Sequence, residues 1–125
     1  MALFEALFIS GSALTAERLR MDLIASNLAN VDVRGAQPYQ ERVPLFATLP
    51  DGGVAVTAIV TNPTPGPLVY DPGNPAAVNG YVRASNVNPT LEVVDLISAE
   101  RAYEANASAI ATEKQSWQAA FGVLV

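Results

Sequence analysis

Apolar residues recur at strict seven-residue intervals near both ends of the chain. One series lies in a proline-free stretch from Ala2 to about Leu28, and the other lies in a stretch from Pro89 to about Phe121. A seven-residue apolar repeat is typical of helices that pack along a coiled-coil seam, so each stretch is predicted to form one long helix. The eight repeating positions, which we expect to carry the packing, are Leu7, Leu14, Met21, Leu28, Leu96, Tyr103, Ile110 and Trp117.

The second helix has clear signals at both ends. Asn88 is a favourable N-cap, Pro89 suits the first helical position, and Glu92 lies in the first turn. Gly122 predicts the end of the helix. Because each helix has one apolar stripe to bury, the two helices are predicted to pack as an antiparallel, coiled-coil-like hairpin.

The first helix contains a run of small residues, Ser10-Gly11-Ser12. Such residues either permit another helix to approach closely or weaken their own helix, by about 1 kcal/mol at the glycine. We expect close packing here.

Proline and glycine dominate the middle of the chain, from Gly35 to about Asn88. The turn residues there separate four short β-like runs, which predict a small sheet at most. The fold class predicted is therefore mainly α with a small β-rich insertion, in a single domain of residues 1–125. Its parts are residues 1–34, 35–88 and 89–125, the strands are Tyr39–Phe46, Val54–Val60, Pro67–Tyr70 and Tyr81–Val87, and Thr61–Pro67 is expected to run extended over the surface.

Charge is scarce in this chain. Charged residues make up 15% of it, against about 25% in typical soluble domains, so much of the surface is expected to meet other protein. Several apolar residues also lie off the predicted seam, and they need either the middle segment or a neighbouring subunit as cover. These residues are Phe4, Phe8, Val94, Ala107 and Phe121.

The same composition excludes several function classes. A net charge of -5 argues against nucleic-acid binding, and the absence of histidine and cysteine removes disulfides, thiol nucleophiles and His-based triads. Glu100 and Glu104 share a helix face, and Asp71 lies in a turn, so a carboxylate enzyme or a hard-metal site is the alternative from another class. We predict no catalytic residue, no cofactor, no metal and no small-molecule substrate. The N-terminal MALFEALFISG lacks the basic region of a secretory signal and is read as mature structure.

Four segments carry a resemblance to a known family. SNLANVD, residues 26–32, and SAERAYEANASAI, residues 98–110, resemble the signatures at the two ends of bacterial flagellar rod and hook proteins. LVYDPGNPAAVNGYVRASNVN, residues 68–88, and QPYQERVPLF, residues 37–46, resemble segments peculiar to the proximal rod subunits. Asn74 and Ser85 depart from that pattern, which often has histidine and proline there, and a methionine usual after Glu92 is missing. The motif positions are Ser26, Asn27, Leu28, Asn30, Tyr70, Pro72, Gly73, Asn74, Gly80, Tyr81, Asn86, Arg101, Tyr103 and Asn106.

The resemblance implies a non-enzymatic subunit of the periplasmic rod of the flagellar basal body. Such a subunit is exported by the flagellar type III apparatus without a cleaved signal peptide, and it polymerises into the tubular drive shaft around the export channel. The seam residues would then pack within or between subunits. The implied partners are copies of the chain, other rod subunits and the adaptor that joins the rod to the membrane ring. The alternatives are another flagellar axial subunit or, from a different class, a cytosolic coiled-coil adaptor.

Two asparagines mark the end of the first helix. Asn30 is predicted to end it in a left-handed conformation, which asparagine tolerates, and Asn27 is expected to bond backbone in the turning chain or in a neighbouring subunit. On this interpretation the pair forms a hinge, and Asn27→Leu harms assembly more than it harms the stability of the monomer.

Overall fold

The computed structural model describes residues 2–124 and has two long helices with a small β insertion between them. The predicted fold class is therefore confirmed. Among these residues, no helix combines the length and the hydropathy that a membrane crossing requires. The elements in chain order are α1 (Ala2–Ala29), β1 (Arg42–Thr48), β2 (Val54–Thr61), β3 (Leu68–Tyr70), β4 (Tyr81–Arg83) and α2 (Pro89–Leu124).

The two helices pack against each other in antiparallel orientation. Ser10 near the start of α1 donates to Glu113 near the end of α2, with 3.4 Å between Oγ and Oε1. Asn27 near the end of α1 donates to Glu92 at the start of α2, with 3.3 Å between Nδ2 and Oε2. The predicted helical hairpin is therefore confirmed.

The partly buried stripe of each helix follows a spacing of four and three residues in alternation. Seven of the eight repeating residues predicted from the sequence are half-buried, and Trp117 is exposed. The other positions of the stripe are small or polar, except for Ile24, which the apolar repeat alone did not reveal. These intervening positions are Ser10, Glu17 and Ile24 on α1, and Glu92, Ala99, Asn106 and Glu113 on α2.

A second side of α1 lies against the β1–β2 ribbon. The Ser12 hydroxyl accepts a hydrogen bond from the backbone N–H of Val54 at 3.0 Å. Ala16 and Leu23 are buried although they lie off the predicted seam, because α1 has protein on two sides. In the run Ser10-Gly11-Ser12, Ser10 is buried beside α2, whereas a Cβ built at Gly11 would have no heavy atom within 4 Å outside its own helix.

The strands form two separate two-stranded ribbons, β1–β2 and β3–β4, both antiparallel, so a single small sheet is not formed. β1 begins at Arg42, later than predicted, because the N–H of Glu41 bonds the Asn86 side chain at 2.7 Å. β4 ends at Arg83, earlier than predicted, and Ser85 and Val87 are buried beyond it.

The ends of the helices differ in how well the sequence signals them. The Asn88 side chain caps α2 by accepting from the N–H groups of Thr90 and Leu91 at 3.1 and 3.3 Å, as its residue type predicts. Gly122 does not end α2, which continues to Leu124, because a helix can pass through a glycine at a cost of about 1 kcal/mol. Asn30 is not left-handed; its side chain instead donates to the Ser26 carbonyl at 2.8 Å.

Asn79 and Gly80 form a two-residue hairpin turn. Their φ angles are 55° and 86°, and the flanking Val78 and Tyr81 exchange two backbone hydrogen bonds of 2.9 and 3.0 Å. Two consecutive positive φ angles define the type I′ turn, for which Asn-Gly is the preferred sequence. This turn positions Tyr81 at the start of β4.

Gly66 lies where the segment before β3 crosses the chain after β4. A Cβ at Gly66 would lie 2.7 Å from the carbonyl oxygen of Ser85 and still closer to that of Ala84. We expect Gly66→Ala to lower the free energy of unfolding by roughly 2–3 kcal/mol, since neither backbone atom can move aside freely. Urea denaturation followed by circular dichroism measures the change.

Gly73→Ala is the matched control, because a Cβ at Gly73 has no heavy atom within 4 Å. We expect it to change the free energy of unfolding by less than about 0.5 kcal/mol. Equal denaturation midpoints for the two variants would show that the crossing at Gly66 is not tightly packed.

Candidate assembly site

The end of α1, the start of β1 and the start of α2 meet at one buried amide. Asn27 is 1% exposed, and its four hydrogen bonds use every polar atom of its side chain. Oδ1 accepts from the Tyr39 hydroxyl at 2.9 Å and from the Arg42 N–H at 3.0 Å. Nδ2 donates to the Arg42 carbonyl at 3.0 Å and to Glu92 at 3.3 Å. We call the cluster of Asn27, Tyr39, Glu41, Arg42 and Glu92 the junction.

Glu92 places a second acidic group in the junction. The residue is 3% exposed, and its Oε2 accepts from Asn27 Nδ2 at 3.3 Å. Burial and the neighbouring carboxyl groups of Glu41 and Asp95 raise the pKa of Glu92 to about 7, and the Asn27 hydrogen bond opposes the rise. The sequence predicts Glu92 only as a residue of the first turn of α2, but in the structure its side chain bonds Asn27 of α1.

A second asparagine, Asn86, hydrogen-bonds distant parts of the middle segment to each other. Asn86 accepts from the N–H of Glu41 and donates to the carbonyls of Asn62 and Thr64 at 3.0 and 2.7 Å. Asn62 in turn donates to the Glu41 carboxylate at 3.1 Å. Asn27 bonds Tyr39 and Arg42, and Asn86 bonds Glu41. Both motif residues therefore fix the same short segment, residues 39–42.

The remaining motif residues of the middle segment build the β3–β4 end. Tyr70 and Tyr81 have ring centroids 5.3 Å apart, and the Tyr70 ring covers Gly80 so closely that a Cβ there would lie 2.6 Å from it. The Asp71–Asn74 turn, which contains Pro72 and Gly73, is closed by a hydrogen bond from the Asn74 N–H to the Asp71 carbonyl at 3.1 Å. The Asn74 side chain accepts from the Ala76 N–H, just after the turn, at 3.0 Å. Asp71 pairs with Arg34 at 3.2 Å, so its carboxylate is used in the fold.

On α2 the motif residues take different positions. Asn106 donates to the Ala102 carbonyl of its own helix at 2.9 Å, Tyr103 is half-buried, and Arg101 is exposed. Glu100 and Glu104 are exposed on the same helix, and within residues 2–124 no group of three metal-ligating side chains is formed.

Two apolar areas remain uncovered on the helices. The first, which we call the outer patch, lies on the side of α2 that faces away from α1, and comprises Leu91, Val94 and Ile97, with exposures of 61%, 57% and 47%. The second, the aromatic end, comprises Phe4, Trp117 and Phe121, with centroid distances of 6.4 Å and 5.4 Å along that series. Phe4, Phe8, Val94, Ala107 and Phe121, the off-seam residues that the sequence singled out, are all exposed.

Sequence reasoning missed the partners of Asn27. Tyr39 and Arg42 lie 12 and 15 residues away from it, and Glu92 lies 65 residues away. Periodicity does not connect such positions. Asn79-Gly80 was also missed as a hairpin turn, although this dipeptide is a strong short-range signal.

Comparisons with known proteins match both ends of the chain to one family. The family model described as "Flagella basal body rod protein" matches residues 7–37. The model described as "Flagellar basal body rod FlgEFG protein C-terminal" matches residues 78–122. These ranges contain the end of α1 with Asn27 and most of α2, so the matched class is that of flagellar rod proteins.

Individual relatives cover most of the chain. "Flagellar basal-body rod protein FlgC" of Yersinia enterocolitica is 45% identical over 91% of this chain and 92% of its own. The proteins of the same name from Salmonella typhimurium and Aquifex aeolicus are 42% and 40% identical, over 91% and 97% of this chain and 92% and 96% of their own. The chain belongs to the FlgC family of flagellar basal-body rod proteins. The resemblance seen in the sequence is therefore confirmed.

The junction changes what is expected of Asn27. Asn27→Leu leaves the Tyr39 hydroxyl, the backbone of Arg42 and Glu92 without their shared partner, so we expect the free energy of unfolding to fall by about 3 kcal/mol. Urea denaturation of the monomer measures this loss. The sequence analysis expects the same substitution to harm assembly more than the stability of the monomer; the four hydrogen bonds of Asn27 within its own chain predict a large loss of monomer stability as well.

Asn106→Leu is the matched control, since it makes the same substitution in the other helix. Its side chain contributes one hydrogen bond, to a carbonyl of its own helix. We expect a change below about 1 kcal/mol. Equal losses in the two variants would contradict the role assigned to the junction.

Proposed function

We propose that this chain is a structural subunit of the proximal part of the flagellar basal-body rod. The observation that carries the proposal is the similarity to FlgC proteins over more than nine tenths of the chain. In this role the subunit polymerises by helix packing into the tube that transmits torque and surrounds the export channel. It acts as a building element and not as an enzyme.

The distribution of apolar surface supports helix-mediated assembly. Seven of the eight seam residues are half-buried within the chain, and the outer patch lies on the opposite face of α2. Exposed apolar side chains gathered on one face of a helix are typical of a protein interaction site. A contact between two different patches that does not close into a ring generates a helical filament, so one such interface can be repeated along a rod.

The proposed partners follow from this position. They are copies of the chain, other rod subunits and the adaptor between the rod and the membrane ring, with the flagellar type III apparatus as the partner during export. The proposed location is the periplasmic part of the basal body. Nucleic acid and small-molecule substrates have no place in this function.

The eight seam residues and the fourteen motif residues are proposed as packing and folding determinants. Leu14 and Ile110, which we take as examples of the seam, are half-buried in the single chain, so charged substitutions there disturb the subunit itself before any interface. A test of assembly must therefore use exposed positions.

Leu91→Asp tests the outer patch without weakening the helix. Leu91 lies in the first turn of α2, where an added carboxylate is favourable to the helix dipole. We expect a folded monomer with unchanged circular dichroism, but at least a tenfold loss of incorporation into purified basal bodies and of swimming motility.

Thr90→Asp is the control, because it adds the same charge at the neighbouring exposed position without removing an apolar side chain. It is expected to assemble normally. Wild-type incorporation of Leu91→Asp would remove the outer patch from the interface, and equal loss in both variants would assign the effect to charge alone.

The rival carboxylate or metal function has a direct test. Asp71 is paired with Arg34, and Glu100 and Glu104 are exposed on one helix, so we expect no heat of binding when calcium, magnesium or manganese is titrated into the chain in a calorimeter. Binding that disappears in Glu100→Gln would contradict this expectation.

A further inference from the structure

The outer patch of α2 is followed by a positive charge on the same face of the helix. Arg101 is exposed, and it lies seven residues after Val94 and four after Ile97. Neither of the two ion pairs within residues 2–124 involves Arg101. The patch therefore presents three apolar side chains and then a cation that has no carboxylate partner in its own chain.

An apolar groove lies elsewhere on the molecule, between α1 and β2. Its volume is about 420 Å³, and it is lined by Ser12, Thr15 and Leu19 on one side and by Val54–Val56 on the other. The N–H of Val54 bonds the Ser12 hydroxyl at 3.0 Å, so it cannot pair with an added strand. The groove therefore suits a helix better than a strand.

A negative charge lies one helical turn beyond this groove. Asp22 is exposed, and it follows Leu19 by three residues and Thr15 by seven. Like Arg101, it takes part in neither ion pair of residues 2–124. An apolar surface followed by an anion is the electrostatic complement of the outer patch.

The spacing of the two surfaces also matches. Val94 lies seven residues before Arg101, and Thr15 lies seven before Asp22. The first residue of the outer patch and the first groove residue of α1 each lie ten residues before the respective charge. Two parallel helices that pair Arg101 with Asp22 thus align the patch with the groove, whereas antiparallel helices with the same ion pair carry the patch past Asp22 and away from the groove.

We propose that the outer patch of one copy docks in the α1–β2 groove of a second copy, with the two helices parallel and Arg101 paired with Asp22. The inference rests on the proposed function, because it names the partner of the outer patch in the polymer. The patch and the groove share no residue, so one copy uses both at once. Such a contact between unlike surfaces repeats from copy to copy.

Charge exchange in the free chain tests the pairing. Three apolar side chains and one exposed ion pair form a small contact, so we expect the unsubstituted chain to associate at millimolar concentration in sedimentation equilibrium. Arg101→Asp and Asp22→Arg should each lower the association constant by about fivefold or more, because like charges then meet. An equimolar mixture of the two variants should recover the association, because every contact between unlike copies again joins opposite charges.

Lys114→Asp is the matched control, since it reverses an exposed positive charge of α2 that lies well beyond the patch. It is expected to leave the association constant unchanged, and circular dichroism should show the same helix content in all variants. Absence of association in the unsubstituted chain, or a mixture that associates no better than the single variants, would overturn the pairing.

The same substitutions in cells separate this inference from the proposed function. We expect each single variant to enter purified basal bodies about fivefold less than the unsubstituted chain, and the double variant Arg101→Asp/Asp22→Arg to recover. Loss in both single variants without recovery in the double variant would assign the patch to a different rod subunit and overturn the pairing, while the proposed function stands. Absence of the unsubstituted chain from basal bodies would contradict the proposed function, and the free-chain measurement would still decide the pairing.

Discussion

The burial of one amide side chain ties together the three parts of this protein. Asn27 lies two residues before the end of α1, and its hydrogen bonds reach β1 and α2 at the same time. A buried polar group must be satisfied or it destabilises the fold, and this one is satisfied only when all three elements are in place. The antiparallel pairing of the helices and the position of the β1–β2 ribbon therefore depend on a common point.

The helical seam is less apolar than its sequence repeat suggests. Ala99 is fully buried, Ser10 contacts Glu113, and Asn106 lies in the same stripe. One oxygen of Glu113 is buried and has no hydrogen-bond partner within residues 2–124. Polar groups in a helical seam reduce stability but restrict the register in which two helices can pair. The polar residues of this seam therefore weaken the packing of the two helices but define the register in which they pair.

The predictable parts of the fold are those that depend on residues close together along the chain. Both helices follow from seven-residue repeats, and the start of α2 follows from Asn88 and Pro89. The division of the strands into two ribbons could not be predicted, because it depends on pairings such as Gly35 with Arg83, which are distant along the chain. The hydrogen bond between Asn27 and Glu92 is equally non-local. The low charge content predicts that much of the surface meets other protein, but only the structure shows which apolar residues the fold leaves exposed.

The isolated β1–β2 ribbon has a consequence for aggregation. A two-stranded ribbon leaves unpaired backbone groups along its edges, and such edges invite strand pairing between molecules. β1 contains Pro44, which offers no N–H, and its pairing with β2 shifts register between Leu45 and Phe46. At the start of β2, Ser12 occupies the N–H of Val54. These features discourage the growth of a sheet from one copy of the chain to the next.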